Sequence, residues 1–232
     1  MGLGAKVNQK AFAVIRVKIC GLSTPDTLDV ALDVGADMVG FVFFAPSPRN
    51  ISFDLAHDLA PRVEGRAKKV ALSVDADDAT LDAIVAALAP DMLQLHGKET
   101  PARVAAIRKR FGLPVMKAVG VATASDLARA EDYAGVADMI LFDAKPPRDA
   151  VLPGGNGRAF DWTILRGLHA GPPWMLSGGL DTVNIAEALR ITGADAVDVS
   201  SGVERAPGVK EPRRIRDFIA AARGVSPQGR SG

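Results

Sequence analysis

The feature of this chain that most restricts its fold is a repeated segment in which an aspartate precedes a short aliphatic run. Asp37, Asp91, Asp138 and Asp195 each stand before such a run, and Met or Ala follows each of them. Apolar runs of this length are typical of strands buried on both faces. Four further apolar runs lie before or between these segments: Val14–Ile19, Lys69–Val74, Pro114–Val119 and Trp174–Leu176. The sequence therefore predicts eight strands.

The stretches between the strands have helical periodicity. Thr24 is a candidate N-cap and Pro25 suits the first helical position, while Gly35 suits the end of that helix. Leu28 and Leu32 lie four residues apart and predict one apolar face. Similar patterns predict helices between the other strands, for example over Leu81–Leu88 and from near Asp181, and a last helix from Pro212.

Strands that alternate with helices predict an α/β protein with a parallel sheet. Right-handed crossovers wind eight such units into a barrel or into an open, Rossmann-like sheet. The regular count of eight favours a single-domain (βα)₈ TIM barrel of eight parallel strands, and no G-x-G-x-x-G motif follows the first strand. We expect the barrel to span residues 14–223, after a loosely ordered leader (1–13) and before a frayed tail (224–232).

Charge, hydropathy and cysteine content restrict the partners and the cellular location that we expect for this protein. The net charge of +1 gives no sign of a nucleic-acid or membrane partner, and no apolar run reaches the ~18 residues that span a bilayer. One cysteine allows no internal disulfide, so we expect a reducing, cytoplasmic location. The chemistry of a TIM barrel lies at the carboxyl ends of its strands. The oligomeric state stays open between monomer and homodimer.

Two serine- and glycine-rich loops follow the last two predicted strands. They are Ser177-Gly178-Gly179 and Ser200-Ser201-Gly202. Barrels commonly bind phosphate with these two loops, because glycine lets backbone N–H groups approach the anion and serine adds donors. Glycines that only form tight turns are the alternative. The pair of loops predicts a small phosphorylated substrate.

Eight short motifs resemble those of the phosphoribosylanthranilate isomerases of tryptophan biosynthesis in order and spacing, from about Val14 to Ala222. They are Lys18–Leu22 (KICGL), Gly40–Phe43 (GFVF), Ser47–Ile51 (SPRNI), Gln94–Gly97 (QLHG), Leu141–Lys145 (LFDAK), Gly154–Gly157 (GGNG), Ser177–Leu180 (SGGL) and Asp198–Glu204 (DVSSGVE). The resemblance implies a TIM barrel that carries out an Amadori rearrangement without a cofactor or a metal ion.

The resemblance also implies roles for single residues. Cys20 corresponds to the family's general base and Asp143 to its general acid, although a lone cysteine is often only a small buried residue. Arg49 is expected to bind the anthranilate carboxylate. His96 lines the pocket, is a partner of the cysteine in nucleophilic catalysis, or is a hydrogen-bonded structural histidine. The loop residues Gly155, Asn156 and Gly157 are expected to close over the substrate, with Asn156 where the family more often has Ser or Thr.

Other functions remain as alternatives. A related isomerase of the histidine pathway would carry an aspartate at the position of Cys20, and indole-glycerol-phosphate synthase would need lysine and glutamate at several strand ends. A ribulose-phosphate epimerase would need a cluster of metal ligands, whereas His96 is the only histidine at a predicted strand end. A non-catalytic phosphate-binding barrel and a cysteine hydrolase are less consistent with the reactive residues present.

Overall fold

The computed structural model describes residues 14–145, 154–155, 157, 159–168 and 171–225. Eight parallel strands close into a barrel in sequence order, with the first strand paired to the eighth. This arrangement confirms the predicted TIM-barrel fold. The barrel strands are β1 (Arg16–Cys20), β2 (Met38–Phe43), β3 (Lys68–Ser73), β4 (Met92–Leu95), β5 (Val115–Val121), β6 (Met139–Ala144), β7 (Trp174–Leu176) and β8 (Ala196–Val199).

Helices surround most of the barrel. Thr24 caps the first helix, as predicted, by accepting a hydrogen bond from the Thr27 amide. The helix predicted near Asp181 begins later, at Ile185, because the Asp181 carboxylate accepts from the amides of Val183 and Asn184 in a preceding turn. The helices are α1 (Pro25–Asp33), α2 (Phe53–Val63), α3 (Asp78–Leu88), α4 (Pro101–Phe111), α5 (Ala128–Glu131), α6 (Ile185–Thr192) and α7 (Pro212–Arg223).

Two connections differ from the predicted pattern. After β6 the described residues contain only a 3₁₀ turn, Trp162–Leu165, where a helix was expected. After β8 a 3₁₀ turn (Ser201–Val203) leads into a short antiparallel hairpin of β9 (Glu204–Ala206) and β10 (Val209–Lys210), which the periodicity did not predict. The predicted leader (1–13) and residues 226–232 of the predicted tail lie outside the described residues.

The repeated aspartates lie at the amino-terminal end of the barrel. Each of three aspartates that precede an even-numbered strand accepts a hydrogen bond from a backbone amide at the start of the previous strand. The pairs are Asp37 with Val17 (2.8 Å), Asp91 with Lys69 (2.7 Å) and Asp138 with Val115 (2.9 Å). The repeated aspartates therefore join the strands in pairs, at the end of the barrel opposite to the one that carries the active site in TIM-barrel enzymes.

Alternate strand residues form two separate cores. Val17 and Ile19 of β1 pack outwards, in one cluster with Ile215 and Phe218 of α7. The inward residues form a second cluster that fills the lower barrel: Met38, Val70, Met92, Met116, Ala118, Met139, Leu141, Met175 and Ala196. This second cluster is the floor beneath the strand ends. No helix in the described ranges is long and apolar enough to span a membrane.

Candidate active site

A cavity of about 820 Å³, counting its open mouth, lies at the carboxyl ends of the strands. Cys20, Val42 and Leu72 form an apolar cluster on one wall, with Phe44 and Val74 packed beside it. The cavity is lined by most of the predicted site residues: Cys20, Arg49, His96, Asp143, Gly155, Ser177, Gly178, Gly179, Ser200 and Ser201. Asn156 lies outside the described residues.

The thiol and the carboxyl group predicted to react lie on facing walls. Cys20 ends β1, and Asp143 lies near the end of β6, three strands away around the barrel of eight. Both residues are about 95% buried, at 4% and 5% exposure. The Asp143 carboxylate accepts a hydrogen bond from the Ala144 amide at 2.9 Å, which fixes one of its oxygens. The two groups can thus reach opposite ends of one small molecule in the cavity.

The surroundings of Cys20 are charged as well as buried. Lys18 lies two residues earlier on β1, as predicted, and its Nζ pairs with Asp198 Oδ1 at 2.8 Å. Ser177 Oγ donates to the other oxygen of Asp198 at 3.2 Å. Burial raises the pKa of the Cys20 thiol, and the positive charges of Lys18 and Lys210 offset only part of this effect. The thiolate is therefore disfavoured by burial and favoured by two buried cations.

His96 contacts the carboxylate on the opposite wall. Its Nε2 lies 3.2 Å from Asp143 Oδ2, and its Nδ1 lies 3.1 Å from Gln94 Nε2. If the Gln94 amide donates to Nδ1, the proton of a neutral His96 is on Nε2 and points at Asp143. The side-chain oxygen of Gln94 is buried and has no hydrogen-bond partner among the described residues. His96 therefore both lines the cavity and orients the Asp143 carboxyl group.

Arg49 is held rigidly at the mouth of the cavity. Its Nε and Nη2 donate to the two oxygens of Glu204 at 2.7 and 2.9 Å, and Nη2 also lies 3.3 Å from the carbonyl of Gly155. Arg49 and Glu204 are both buried, at 6% exposure. Burial acts to raise the pKa of Glu204, but Arg49 and Lys210 lower it overall, so the carboxylate is ionised at neutral pH.

The two predicted phosphate loops lie side by side above β7 and β8. Gly178 (φ +90°) and Gly179 (φ +64°) adopt left-handed backbone that favours glycine. Gly202 does not line the cavity; a Cβ there would overlap the Leu180 carbonyl, so this glycine lets the two loops approach closely. Gly157 lies by the second loop and the β9–β10 hairpin, in a second pocket that includes Ser201. Serine hydroxyls and loop amides thus converge at one end of the cavity.

Comparison with known proteins assigns this barrel to a family. Residues 17–221 match the family model described as N-(5′-phosphoribosyl)anthranilate (PRA) isomerase. The chain belongs to the N-(5′-phosphoribosyl)anthranilate isomerase family. It is therefore an enzyme of the isomerase class, which confirms the resemblance drawn from the motifs.

Named relatives and solved structures agree with this assignment. The N-(5′-phosphoribosyl)anthranilate isomerase of Bradyrhizobium diazoefficiens is 65% identical over 207 residues, which cover 89% of this chain and 93% of that protein. The corresponding protein of Paramagnetospirillum magneticum is 59% identical over 92% of this chain and 99% of its own length. The crystal structure of phosphoribosyl anthranilate isomerase from Thermotoga maritima superposes on this barrel with a TM-score of 0.82 at 34% identity. The superposition covers 90% of this chain and 99% of the Thermotoga maritima chain.

One solved relative was crystallised in complex with a phosphorylated small molecule. It is a phosphoribosyl anthranilate isomerase in complex with reduced 1-(o-carboxyphenylamino)-1-deoxyribulose 5-phosphate, with a TM-score of 0.78 and 32% identity. The match covers 90% of this chain and 99% of that one.

Several polar residues of the site were not predicted to act there. Glu204 and Lys210 hold Arg49 and the second serine loop, Asp198 pairs with Lys18, and Gln94 contacts His96. A sequence signal existed for two of them, since Gln94 and Asp198 occupy inward positions of otherwise apolar strands. The pair of Lys117 and Glu99, at 2.8 Å, is also buried but does not line the cavity.

Proposed function

We propose that this protein converts N-(5′-phosphoribosyl)anthranilate into 1-(2-carboxyphenylamino)-1-deoxyribulose 5-phosphate in tryptophan biosynthesis, with Cys20 as general base and Asp143 as general acid. The observation that carries the proposal is the placement of a thiol and a carboxyl group on facing walls of one cavity with anion-binding groups at its edges. Membership of the isomerase family supports the choice of reaction.

The aromatic end of the substrate fits one side of the cavity. Val42 and Leu72 offer an apolar surface for the anthranilate ring. Arg49 lies nearby with its Nε and Nη2 engaged by Glu204, so we assign its Nη1 to the anthranilate carboxylate. Because the guanidinium is fixed before the substrate arrives, little side-chain entropy is lost on binding.

The phosphate end fits the two loops above β7 and β8. Ser177, Ser200 and Ser201 line this end of the cavity, and Ser201 provides a hydroxyl donor, whereas the hydroxyls of Ser177 and Ser200 donate to Asp198 and to the Cys20 carbonyl. The amides of Gly178 and Gly179 are free of a Cβ that would hold an anion away. The amides of Val183 and Asn184, in the turn before α6, already donate to the Asp181 carboxylate, so we assign the phosphate contacts to the loops rather than to this turn. Gly155 and the neighbouring residues Asn156 and Gly157 are assigned to the loop over the substrate.

The acid and base act in sequence on the bound sugar. Asp143 gives its proton to the ribose ring oxygen, the C1′–O bond breaks, and the ring opens to an iminium ion. The Cys20 thiolate then takes the C2′ proton, and the electron pair of that C–H bond neutralises the iminium nitrogen through C1′. The resulting enol becomes the ketone as C1′ takes a proton from the Cys20 thiol and the enol hydroxyl returns one to Asp143, which restores both residues. These transfers need no redox partner, so we propose that the reaction is cofactor-free.

The test is turnover of freshly prepared N-(5′-phosphoribosyl)anthranilate, followed by the loss of its fluorescence. We expect Cys20→Ser and Asp143→Asn each to lower kcat by ~10²–10⁴-fold, the usual contribution of a general acid or base. The matched controls are Ser73→Ala, a buried strand-end residue of β3, and Asp91→Asn at the other end of the barrel. Both should keep wild-type turnover.

Two results would contradict the proposal in different ways. A folded wild-type protein that does not turn the substrate over would overturn the substrate, and the histidine-pathway aminoaldose would be the next compound to assay. An active wild type whose Cys20→Ser variant keeps full activity would leave the reaction in place but remove Cys20 as the base. Thermal unfolding of each variant separates lost chemistry from lost folding.

We also propose that the protein acts in the cytoplasm, on a phosphorylated small molecule, as a monomer or a homodimer. One solved Thermotoga maritima relative is described as monomers generated from a dimeric enzyme, which supports both states as candidates. Light scattering coupled to size-exclusion chromatography decides between a mass near 24.2 kDa and twice that value.

A further inference from the structure

A buried lysine connects three parts of the cavity that lie far apart in the sequence. Lys210, the last residue of β10, has a side chain that is 1% exposed. Its Nζ lies 2.7 Å from Glu204 Oε1, 3.0 Å from the carbonyl oxygen of Ser200 and 3.1 Å from Ser200 Oγ. An ammonium group has three protons to donate, and these three acceptors engage it fully.

The residues that accept these hydrogen bonds contact different parts of the proposed active site. Glu204 holds the Nε and Nη2 of Arg49, which we assign to the substrate carboxylate. Ser200 belongs to the second phosphate loop. The hydroxyl of Ser200 also donates to the carbonyl of Cys20 at 3.1 Å. A single cation therefore bridges the carboxylate arginine, the phosphate loop and the strand end that carries the thiol.

The β9–β10 hairpin places Lys210 at this point. Gly208, at the turn, has a φ of +78°, and its backbone packs so closely on Pro48 that an added Cβ would overlap the Pro48 carbonyl. The Gly208 amide also donates to Glu204 Oε2 at 3.1 Å. The hairpin thus closes against the loop that carries Arg49, so its geometry controls where Arg49 and Lys210 lie.

The charges of this network leave an excess of one positive charge near the thiol. Lys18, Arg49 and Lys210 contribute three cations, and Asp198 and Glu204 contribute two anions. Burial lowers the pKa of Lys210, and Glu204 opposes this effect. Burial raises the pKa of Cys20, whereas Lys18 and Lys210 lower it and Asp198 raises it. The other titratable groups that line the cavity among the described residues are His96, Asp143 and Lys145, across the barrel.

We infer that Lys210 is a positioning residue for the isomerase reaction, which fixes Arg49 and the phosphate loop relative to Cys20 and favours the Cys20 thiolate through its charge. The inference rests on the proposed function for its kinetic part only. Its electrostatic part concerns the charge that Lys210 holds near the buried thiol, one hydrogen-bonded residue away through Ser200, and holds whatever the substrate is. Lys210 itself is not assigned a contact with the reacting atoms.

The test uses the fact that Cys20 is the only cysteine of the chain. Uncharged iodoacetamide therefore reports the Cys20 thiolate directly, as an alkylation rate against pH in the absence of substrate. In Lys210→Met we expect the midpoint of this profile to rise by roughly one pH unit, as for loss of a nearby cation. With substrate, kcat/KM should fall by roughly ten- to a hundredfold, mostly through a higher KM. Lys68→Met, an exposed lysine at the far end of β3, is the control.

A second variant keeps the proposal testable if Lys210→Met folds poorly. Glu204→Gln removes a negative charge from the same network, so the alkylation midpoint should fall, in the direction opposite to that of Lys210→Met. General disruption of the site does not predict opposite shifts. An unchanged midpoint in both variants, with wild-type kinetics, overturns the role of Lys210 but leaves the proposed reaction intact. If the two variants shift the midpoint in opposite directions but the wild-type protein does not turn the substrate over, the proposed reaction is overturned and the role of Lys210 is supported.

Discussion

Gly40 offers a direct test of whether the position of the Cys20 thiol matters. It lies on β2 in register with Cys20, and its φ is outside the left-handed region, so alanine is compatible with its backbone. An added Cβ would lie 2.9 Å from Cys20 Sγ, 3.2 Å from Cys20 Cα and 3.2 Å from Lys18 Cε. In Gly40→Ala the thiol must therefore move, by about 0.5 Å or more, to restore ordinary van der Waals contact.

The size of the effect follows from this displacement. Misplacing a reacting group by ~1 Å can cost ~100-fold in rate, so we expect kcat/KM of Gly40→Ala to fall by roughly ten- to a hundredfold. Overpacking should also cost about 1–3 kcal/mol of the free energy of unfolding. The assays are steady-state turnover of N-(5′-phosphoribosyl)anthranilate and urea unfolding. Gly120→Ala is the matched control, because a Cβ there comes no closer than 3.4 Å to Lys145 Cα.

The cause can be separated from a general loss of packing. In a Cys20→Ala background the sulfur is absent, so adding Gly40→Ala should destabilise the protein less than it does in the wild type. A Gly40→Ala enzyme with wild-type kcat/KM and wild-type stability would refute the reasoning. It would show either that the thiol can move freely or that its position does not determine the rate.

Three further predictions concern other parts of the barrel. Burial acts to raise the pKa of Asp126, but hydrogen bonds from the Ala122 and Thr123 amides and the charge of Lys145 lower it to about 2. This pKa lies below the unfolded value of ~3.9, so the carboxylate stabilises the fold by about 1–2 kcal/mol above pH ~4, and that contribution is lost as the pH falls towards 2. In urea unfolding, Asp126→Asn should therefore be less stable than the wild type at pH 7, and its stability should depend less on acid. Ser201→Ala should weaken competitive inhibition by inorganic phosphate by roughly tenfold through loss of one donor, and an unchanged inhibition constant would exclude that contact. Asp138→Ala should lower the free energy of unfolding by about 1–2 kcal/mol in urea unfolding, because the Val115 amide loses its acceptor. Its kcat in the turnover assay should stay at the wild-type value.

The barrel could be predicted from the sequence because each strand and its helix have local signals. The strands observed differ from those predicted by a few residues at most: β1 begins at Arg16 instead of Val14, which is 68% exposed, and β7 is identical at Trp174–Leu176. The repeated aspartate marks strand starts because its carboxylate accepts a neighbouring strand's amide. The regular count of eight units favoured closure into a barrel, since the right-handed crossover rule by itself also allows an open sheet.

The polar network around the cavity could be predicted only in part. Arg49 and Glu204 are 155 positions apart in the chain, and nothing local to either indicates the other. Pro207-Gly208 is a turn signal that would have allowed a hairpin between two short strands, yet strands of three and two residues have no periodicity to detect. Charged residues in such a segment look like a solvated loop until the fold shows that Lys210 is buried.

The floor of the barrel makes this protein well suited to methyl NMR spectroscopy. Of the six methionines in the chain, Met38, Met92, Met116, Met139 and Met175 all lie in the inward-facing cluster, and Met1 lies outside the described residues. Labelling the methionine methyl carbons therefore yields five signals that report on the barrel interior, and no described methionine lies on the helical surface. Substrate that binds above the floor should shift these signals, whereas a ligand on the outer helices should not. The amino-acid composition has thus concentrated one kind of spectroscopic reporter directly beneath the proposed reaction centre.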